Sequence, residues 1–597
     1  MAESDKSEAN TSIHSNVEAA DQKDSSTSVP FLYGLWFCFA LALPSFLWIL
    51  RDKGIWWWDQ SSYGSATVDL WTSLSSLATG GVFNFLPGVS DYFNTFLDSV
   101  GLSKAPGIAL VGQFFVPLGQ AFGNVDVALL TSVVLESFLV LLLVFEIGRK
   151  LSPGAGMSSK ALPFLGCLGF ASLPLFFNLS RSYLVEMLQA LSVVYFYWLL
   201  VTFDQRKIDE NAGHLMIAAA IGLFAKVSTP LYCLVPGFLI LLKLLQSGLS
   251  QIFPEGKKAF LLWCLGVLSV LSVATWYGYN WQHVAALAHG TSIGQIAELY
   301  GQKASILEKL FIWLDILHIH MVMPLLKPVF FYLSPLLIGA PLAFCLYRIS
   351  KSEKSRRLSP PLSIGLVASI QAVIVMVVLM TSIAEDPRYA FAVLPSLVVA
   401  FLAFASFVKS YIYFVPFLLL FGVQFVVLNL ESFGYFSDWP MRSNVVEVLQ
   451  DETLEEEEIE RLSSLAKPYF DKGYMIILGV SYHWLNVNTG TYTAKKLNLG
   501  DVTRGTNESA GQERWIGRGV QFRSWTLSNE LEEILDVIRQ GVIPKYIFIS
   551  LEPSKLSGQS DAPFANKFNK EVLSVVSGKG TKLKFDSKLG IVVYRVD

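Results

Sequence analysis

The stretch from Trp56 to Tyr63 places three adjacent tryptophans directly before a carboxylate, Asp59. Tryptophan rings favour a membrane–water interface, where the ring lies among the headgroups and its N–H stays hydrated. Asp59 would then lie at the membrane surface, where it could take a proton from an acceptor hydroxyl. The alternative interpretation is an interfacial anchor followed by an ordinary loop carboxylate.

Other charged residues stand where apolar segments end. They are Lys104 ahead of Pro106, Arg181 with Glu186, Lys226, and Arg388 with Tyr389. A charge at such a depth is costly unless it faces a bundle interior or an aqueous cavity. If these groups share one side of the membrane, the cations could bind a phosphate while the acids bind an acceptor. The alternative for each side chain is that it reaches out to the headgroups.

The composition indicates an integral membrane protein, since 53% of the 597 residues are hydrophobic and only 16% are charged. Apolar runs of about 18–22 residues predict about eleven membrane spans. We place them near residues 30–50, 126–148, 161–179, 182–203, 214–230, 231–246, 260–279, 328–348, 362–382, 390–408 and 411–430. The fold class expected is a mostly α, polytopic helix bundle, with the membrane module at residues 30–430.

Lysine and arginine set the orientation of this bundle. One set of short loops carries 13 basic residues, whereas the much longer opposite loops carry fewer. Cytoplasmic loops are enriched in these residues. The N-terminus is therefore predicted to be cytoplasmic, with residues 1–29 as a polar, disordered tail. The loop that carries Asp59 and the C-terminal residues are predicted to lie outside.

Two regions outside the spans are large enough to fold. The first long loop, residues 51–125, has apolar helical faces near 68–77 and 92–100, which predict helices along the membrane surface. Residues 431–597 are more charged and predict a small extracytoplasmic α/β domain. Its expected strands are Met475–Val480, Tyr546–Leu551, Leu583–Phe585 and Ile591–Val596, with helices near 452–467, 527–539 and 565–576. A role in capping the site or binding an acceptor is the functional interpretation, and structural packing is the alternative.

Nothing in the sequence assigns a metal. The five cysteines lie in apolar runs without Cys-x-x-Cys spacing and are predicted to be buried. Asp315, His318 and His320 have the side chains of metal ligands, but no fourth ligand stands at a useful spacing. We favour an amphipathic interfacial helix there.

The order of these motifs resembles the GT-C fold glycosyltransferases, in particular the protein O-mannosyltransferases and the lipid A aminoarabinose transferase. The resemblance covers about residues 30–430. It rests on Asp59 with Tyr63, Lys104 with Pro106, Arg181 with Glu186, Lys226, and Arg388 with Tyr389. Gln60 stands where a second acid is usual, and Ala105 stands where a second proline is usual.

The resemblance implies transfer of a hexose or pentose from a polyprenyl-phosphate donor to a protein, lipid or glycan acceptor. Asp59 would activate or orient the acceptor hydroxyl, and Glu186 would be a second catalytic contact. Lys104, Lys226 and Arg388 would neutralise the departing phosphate. Tyr63, Arg181 and Tyr389 complete the expected substrate-binding set. Metal dependence varies in this fold, so a divalent metal stays open, and a bacterial inner membrane is the expected location.

Two other functions use a similar polar cavity. A lipid-sugar flippase or transporter commonly has two related halves, and we find no such repeat. An O-antigen-type polymerase or ligase would carry its key residues in a late loop rather than in the first. Nucleic acid is not an expected partner, because no basic stripe is present.

Overall fold

The computed structural model describes most of the bundle and parts of the C-terminal region. The described residues are 29–52, 54–55, 58–79, 85–152, 157–248, 252–294, 297, 301–321, 359–408, 411–435, 475–478, 487–496, 522–523, 546–551, 563–586 and 591–597. Several predictions lie outside them: the tail before residue 29, Trp56 and Trp57, the span at 328–348, and the helices at 452–467 and 527–539.

The first half of the bundle contains both long and short helices. They are α1 (Phe31–Asp52), α2 (Trp58–Thr79), α3 (Phe85–Leu97), α4 (Gly107–Gly112), α5 (Val116–Phe122), α6 (Val125–Leu151), α7 (Met157–Ala171), α8 (Pro174–Leu179) and α9 (Glu186–Thr202). The second half continues with α10 (Ile208–Ala225), α11 (Thr229–Tyr232), α12 (Leu234–Ser247), α13 (Lys257–Ser292), α14 (Ile306–Met321), α15 (Pro360–Thr381), α16 (Pro387–Phe391), α17 (Leu394–Ala405) and α18 (Val415–Ser432).

Six segments of the described chain are long and apolar enough to cross a membrane. They are Phe31–Arg51, Val125–Leu151, Lys257–Ser292, Pro360–Thr381, Pro387–Ala405 and Ile412–Ser432. Shorter apolar helices pack among them, at Lys160–Ala171, Glu186–Thr202 and Leu234–Ser247. The chain is therefore an integral membrane protein, and the total of about eleven spans stays a prediction.

Proline marks where two of the predicted spans differ from the observed helices. The span expected at 161–179 is divided into α7 and α8, because Pro174 starts a new helix after an extended Leu173. The span expected at 390–408 begins earlier, with Pro387 in the first turn of α16. Both prolines lie near charged residues that the sequence singled out.

The ends of the helices lie on two faces of the bundle. Glu210 in the first turn of α10 forms an ion pair of 2.7 Å with Lys258 in the first turn of α13. Lys226, at the other end of α10, therefore lies on the opposite face. This agrees with the predicted separation of the loops near 206 and 257 from the charged candidates. Which compartment each face meets stays a prediction.

The first long loop is helical, as predicted, and it packs on the bundle. Gly107 starts α4 so close to the end of α10 that a Cβ atom would come within 2.5 Å of the Phe224 carbonyl oxygen. Only glycine fits there, so the loop backbone is fixed beside Lys226. Thr67 on α2 lies 2.8 Å from the Tyr183 hydroxyl, which in turn donates to the Ile108 carbonyl. These contacts tie the loop to the segment that precedes α9.

The C-terminal region contains a small α/β fold, as predicted. Its described strands are β1 (Met475–Leu478), β2 (Phe522–Arg523), β3 (Tyr546–Leu551), β4 (Thr581–Asp586) and β5 (Ile591–Val596), and its described helices are α19 (Val487–Lys496) and α20 (Pro563–Lys579). The sheet order is β2-β1-β3-β5-β4. β1 is parallel to β2 and β3, whereas β5 is antiparallel to β3 and β4. The predictions missed β2 and α19, and α19 packs against α2.

Candidate active site

Asp59 lies in the first turn of α2, and both of its carboxylate oxygens are bonded to cations. Oδ1 accepts a hydrogen bond from Lys104 Nζ, and Oδ2 accepts one from Arg388 Nη1 at 3.0 Å. Lys104 and Arg388 are 45 and 329 positions away along the chain. The bundle thus brings together three of the residues that the sequence singled out.

These cations decide the charge of Asp59. Burial alone would raise its pKa, but Lys104 and Arg388 together hold the pKa well below the usual range of a carboxyl group. Asp59 is therefore ionised at neutral pH. Its carboxylate is a strong electrostatic partner and, while both bonds persist, a weak base.

Arg388 is aimed at Asp59 by its own neighbour, Asp386. The Asp386 side chain caps α16 by accepting the backbone N–H of Arg388 at 2.9 Å, and it also accepts Nε at 2.8 Å. The Arg388 guanidinium therefore bridges two carboxylates, and it keeps the pKa of Asp386 below its usual value although burial opposes this. Sequence reasoning did not single out Asp386. The Asp-Pro-Arg order, a helix cap before an N1 proline, was a usable signal.

Glu186 and Lys226 form a second pair on the same face. Lys226, which ends α10, lies 3.1 Å from Glu186 Oε1 in the first turn of α9. The Lys226 ammonium also lies 4.7 Å from the centroid of the Tyr389 ring, so Tyr389 joins this pair to Arg388. The other oxygen of Glu186 is buried without a hydrogen-bond partner among the described residues.

Tyr63 lies one turn after Asp59 and is buried. The Lys104 ammonium is 5.8 Å from its ring centroid, so the cation has a carboxylate on one side and an aromatic face on the other. Burial, followed by the charge of Asp59, raises the pKa of Tyr63 well above its usual value. Its phenol therefore stays neutral and available as a donor.

Arg181 lies in different surroundings from the other candidates. Its guanidinium stacks over the Phe177 ring at 3.4 Å, and it donates to Asn429 Oδ1 at 3.1 Å and Ser45 Oγ at 3.3 Å. These contacts join α1, α8 and α18 in a buried polar cluster. They make Arg181 a structural link between helices, and its predicted role in substrate binding stays a prediction.

Two further polar residues of the bundle are Gln60 and Glu136. Gln60, which replaces a usual acid, accepts the backbone N–H of Tyr183 at 2.8 Å and so holds α2 against the segment before α9. Glu136, in α6, has both carboxylate oxygens buried without a hydrogen-bond partner among the described residues.

A divalent metal would need carboxylate or imidazole groups that are free to coordinate it. No three His, Cys, Asp or Glu side chains in the described part of the chain come together as a ligand set. Asp59 has both oxygens bonded to cations, so the residues around it do not fit a divalent ion. Asp315 and His318 lie on α14, in agreement with the helix predicted there.

A polytopic helical bundle, a helical first loop and a small C-terminal sheet together agree with the GT-C fold. The aminoarabinose transferase ArnT of Cupriavidus metallidurans, solved with undecaprenyl phosphate, is similar in structure, with a TM-score of 0.50 and 13% identity. The match covers 95% of this chain and 98% of that one. At this identity the likeness establishes the fold.

Other comparisons add little to this. An oligosaccharyltransferase from Archaeoglobus fulgidus, solved with zinc and sulfate, matches with a TM-score of 0.45 and 10% identity, over 94% of this chain and 72% of that one. No profile of a known protein family matches the sequence. No curated protein matches it by sequence either.

Proposed function

We propose that the protein is a membrane glycosyltransferase that moves a sugar from a polyprenyl-phosphate donor to a protein, lipid or glycan acceptor on the outer face of the membrane. One observation carries this proposal: Asp59, on a loop helix, is bonded by both Lys104 and Arg388. The bound undecaprenyl phosphate of the similar ArnT structure supports a lipid phosphate as the donor group.

In the resting site, each cation is already paired with a carboxylate, so a donor phosphate would compete with these carboxylates for the cations. Asp59, Glu186 and Asp386 are matched by Lys104, Lys226 and Arg388, so the resting cluster is formally neutral. A donor phosphate offers these cations several strong acceptor oxygens, and charge-assisted hydrogen bonds of this kind are stronger than neutral ones. When the phosphate engages Lys104 and Arg388, it releases the Asp59 carboxylate from both bonds.

The released carboxylate is then the base of the reaction. The acceptor hydroxyl oxygen attacks the anomeric carbon of the sugar, and its proton passes to Asp59. The bond from the anomeric carbon to the phosphate oxygen breaks, and its electron pair leaves with the polyprenyl phosphate. Lys104, Lys226 and Arg388 stabilise the charge that develops on that oxygen, so the leaving group needs no proton. Glu186, with one oxygen unpaired, accepts a hydrogen bond from a substrate hydroxyl or amine.

The test is transfer by the purified protein, given radiolabelled polyprenyl-phosphate sugars and a panel of protein, lipid and glycan acceptors. Wild-type protein should yield labelled acceptor. Lys226→Ala and Arg388→Ala should raise the donor KM, because each removes a phosphate partner. Arg149→Ala is the matched control, since Arg149 pairs with Glu146 at the far end of α6.

Two results would count against the proposal. The first is wild-type protein that moves the lipid-linked sugar across a bilayer without transferring it to any acceptor, as a flippase would. The second is full donor use at limiting donor by both Lys226→Ala and Arg388→Ala. In that case these cations would be anchors for the membrane surface rather than partners of the phosphate.

A further inference from the structure

The C-terminal domain contacts the helix that carries Asp59. Helix α19 packs along α2, and the side chains of Thr489, Tyr492 and Thr493 are buried. Together with Lys496, they recur at the spacing of one helical face. One face of α19 therefore packs against α2, although the segment is otherwise polar.

Charged and hydroxyl groups fix the position of α19. Lys495 Nζ lies 2.5 Å from Asp69 Oδ2, on the second half of α2. Lys496 Nζ lies 3.0 Å from Asp126 Oδ2, and the Tyr492 hydroxyl donates to the other oxygen of Asp126. Asp126 is buried in the first turn of α6, so α19 is bonded to both helices at once.

Gly64 makes the closest part of this contact. It follows Tyr63 on α2, and a Cβ atom at this position would lie 2.8 Å from the Tyr492 ring. The ring can approach the α2 backbone only because residue 64 is glycine. The contact lies little more than one turn from Asp59, on the same rigid helix.

The other side of α2 is held by the bundle, through Gln60 and Thr67 to Tyr183. Helix α2 is thus fixed between two supports, of which the C-terminal domain supplies one. From this arrangement, we propose that Tyr492, Lys495 and Lys496 are positioning residues that set the placement of the Asp59 carboxylate. This rests on the proposed function for its kinetic consequence. Small displacements of a reacting group can lower a rate steeply, about 10²-fold for 1 Å.

A charge exchange tests the proposal. Asp69→Lys and Lys495→Asp should each lower kcat by about tenfold or more with little change in the donor KM, because the cations that bind phosphate are untouched. The double variant restores the pair with reversed polarity and should recover most of kcat. Lys570→Glu, an exposed change on α20 of the same domain, is the control and should leave kcat unchanged.

A second readout does not depend on activity. Amide hydrogen exchange over residues 58–79 should become faster in Lys495→Asp and return to wild-type rates in the double variant, with unchanged exchange in α13. Wild-type kcat and wild-type exchange in both single variants would overturn the proposal. So would a loss of kcat that the double variant does not recover. Absence of transfer by wild-type protein would instead count against the proposed function, and the exchange measurement would still decide the role of α19.

Discussion

Both oxygens of the Asp59 carboxylate are engaged in the resting protein, one by Lys104 and one by Arg388. A carboxylate held in this way cannot take a proton efficiently until a competing anion draws the cations away. Donor binding should therefore precede productive acceptor binding. In the proposed mechanism, Asp59 has two tasks at different times, since it first holds the cations in place and later acts as the base.

The first prediction concerns Asp59→Asn, which keeps the shape of the side chain but removes its charge and its basicity. Transfer should fall by about 10²–10⁴-fold, the usual contribution of a general base. The donor KM should stay the same or decrease, because Lys104 and Arg388 lose a competing anion. Initial rates at varied donor concentration measure both parameters.

The control for Asp59→Asn is Asp91→Asn, since Asp91 is exposed on α3 of the same loop. Asp69, further along α2, cannot serve as a control because it pairs with Lys495. Equal transfer by wild type and Asp59→Asn would make the carboxylate a structural residue.

The second prediction concerns pH. The pKa of Asp59 is lowered, so its favourable charge interactions persist above the ordinary carboxyl pKa and are lost only as pH falls through the lowered value. Burial raises the pKa of Asp59, and Lys104 and Arg388 lower it. Lys104→Met removes one of these two cations, so the pKa of Asp59 should rise. The acid limb of the kcat/KM profile should therefore move to higher pH than in wild type. An unchanged acid limb would mean that Asp59 does not govern it.

Residue types and their order in the sequence pointed to the candidate residues, but they did not show which of these residues contact one another. Asp59, Lys104 and Arg388 do meet, and so do Glu186 and Lys226. Arg181 stacks on Phe177 and bonds Asn429 instead. Nothing near Arg181 in the sequence indicates this, because Asn429 lies 248 positions away and is brought close only by helix packing.

At the scale of elements, the segment that precedes Arg388 is held by the end of α13 and by α14. The Ser292 carbonyl accepts the Ile383 N–H at 2.9 Å. Lys309 on α14 donates to the Ile383 carbonyl at 2.7 Å and pairs with Glu385 at 2.5 Å. The Lys309 side chain is only 3% exposed. A buried lysine in these positions sets where the Asp386-Pro387-Arg388 turn begins.

The third prediction is that Lys309→Met damages both stability and donor use. Breaking one side of a buried ion pair typically costs about 3–5 kcal/mol, and the shifted turn would no longer aim Arg388. Thermal unfolding should occur at a lower temperature and the donor KM should rise. Lys257→Met is the control, because Lys257 is exposed at the start of α13. A stable variant with wild-type KM would show that the turn is set elsewhere.

Hydrophobic pattern predicted the long helices because a bilayer demands about 20 apolar residues from each span. It did not predict α19, whose sequence from Val487 to Lys496 contains a glycine and three threonines. These residues have low helix propensity, so the helix depends on its contact with α2. Such a helix cannot be predicted without knowledge of the surface it packs on.

At the scale of the whole molecule, the ends of the described helices lie on two faces of the bundle. The excess of lysine and arginine predicts that the loops near residues 206 and 257 are cytoplasmic. The cluster around Asp59 lies on the opposite face. The orientation determines which acceptors the site can reach.

The fourth prediction tests this orientation by cysteine labelling. Cys264, the least buried of the described cysteines, is first replaced by serine. Ser90→Cys should then react with an impermeant thiol reagent in intact cells, and Gln205→Cys only after permeabilisation; both positions are exposed. The reverse pattern of labelling would invert the membrane orientation and move the site to the cytoplasm.

Helix α13 has a consequence for the lipid around the protein. Its 36 residues span about 54 Å. Lys258 near its start and the exposed Tyr279 are separated by about 32 Å of helix, close to the thickness of a bilayer core of about 30 Å. If residues 258–279 cross the bilayer core, the last turns would project from the membrane; they end at Ser292, which bonds Ile383. In liposomes, transfer should be fastest with acyl chains that match this thickness. Thinner or thicker bilayers would tilt α13 and shift the segment that aims Arg388.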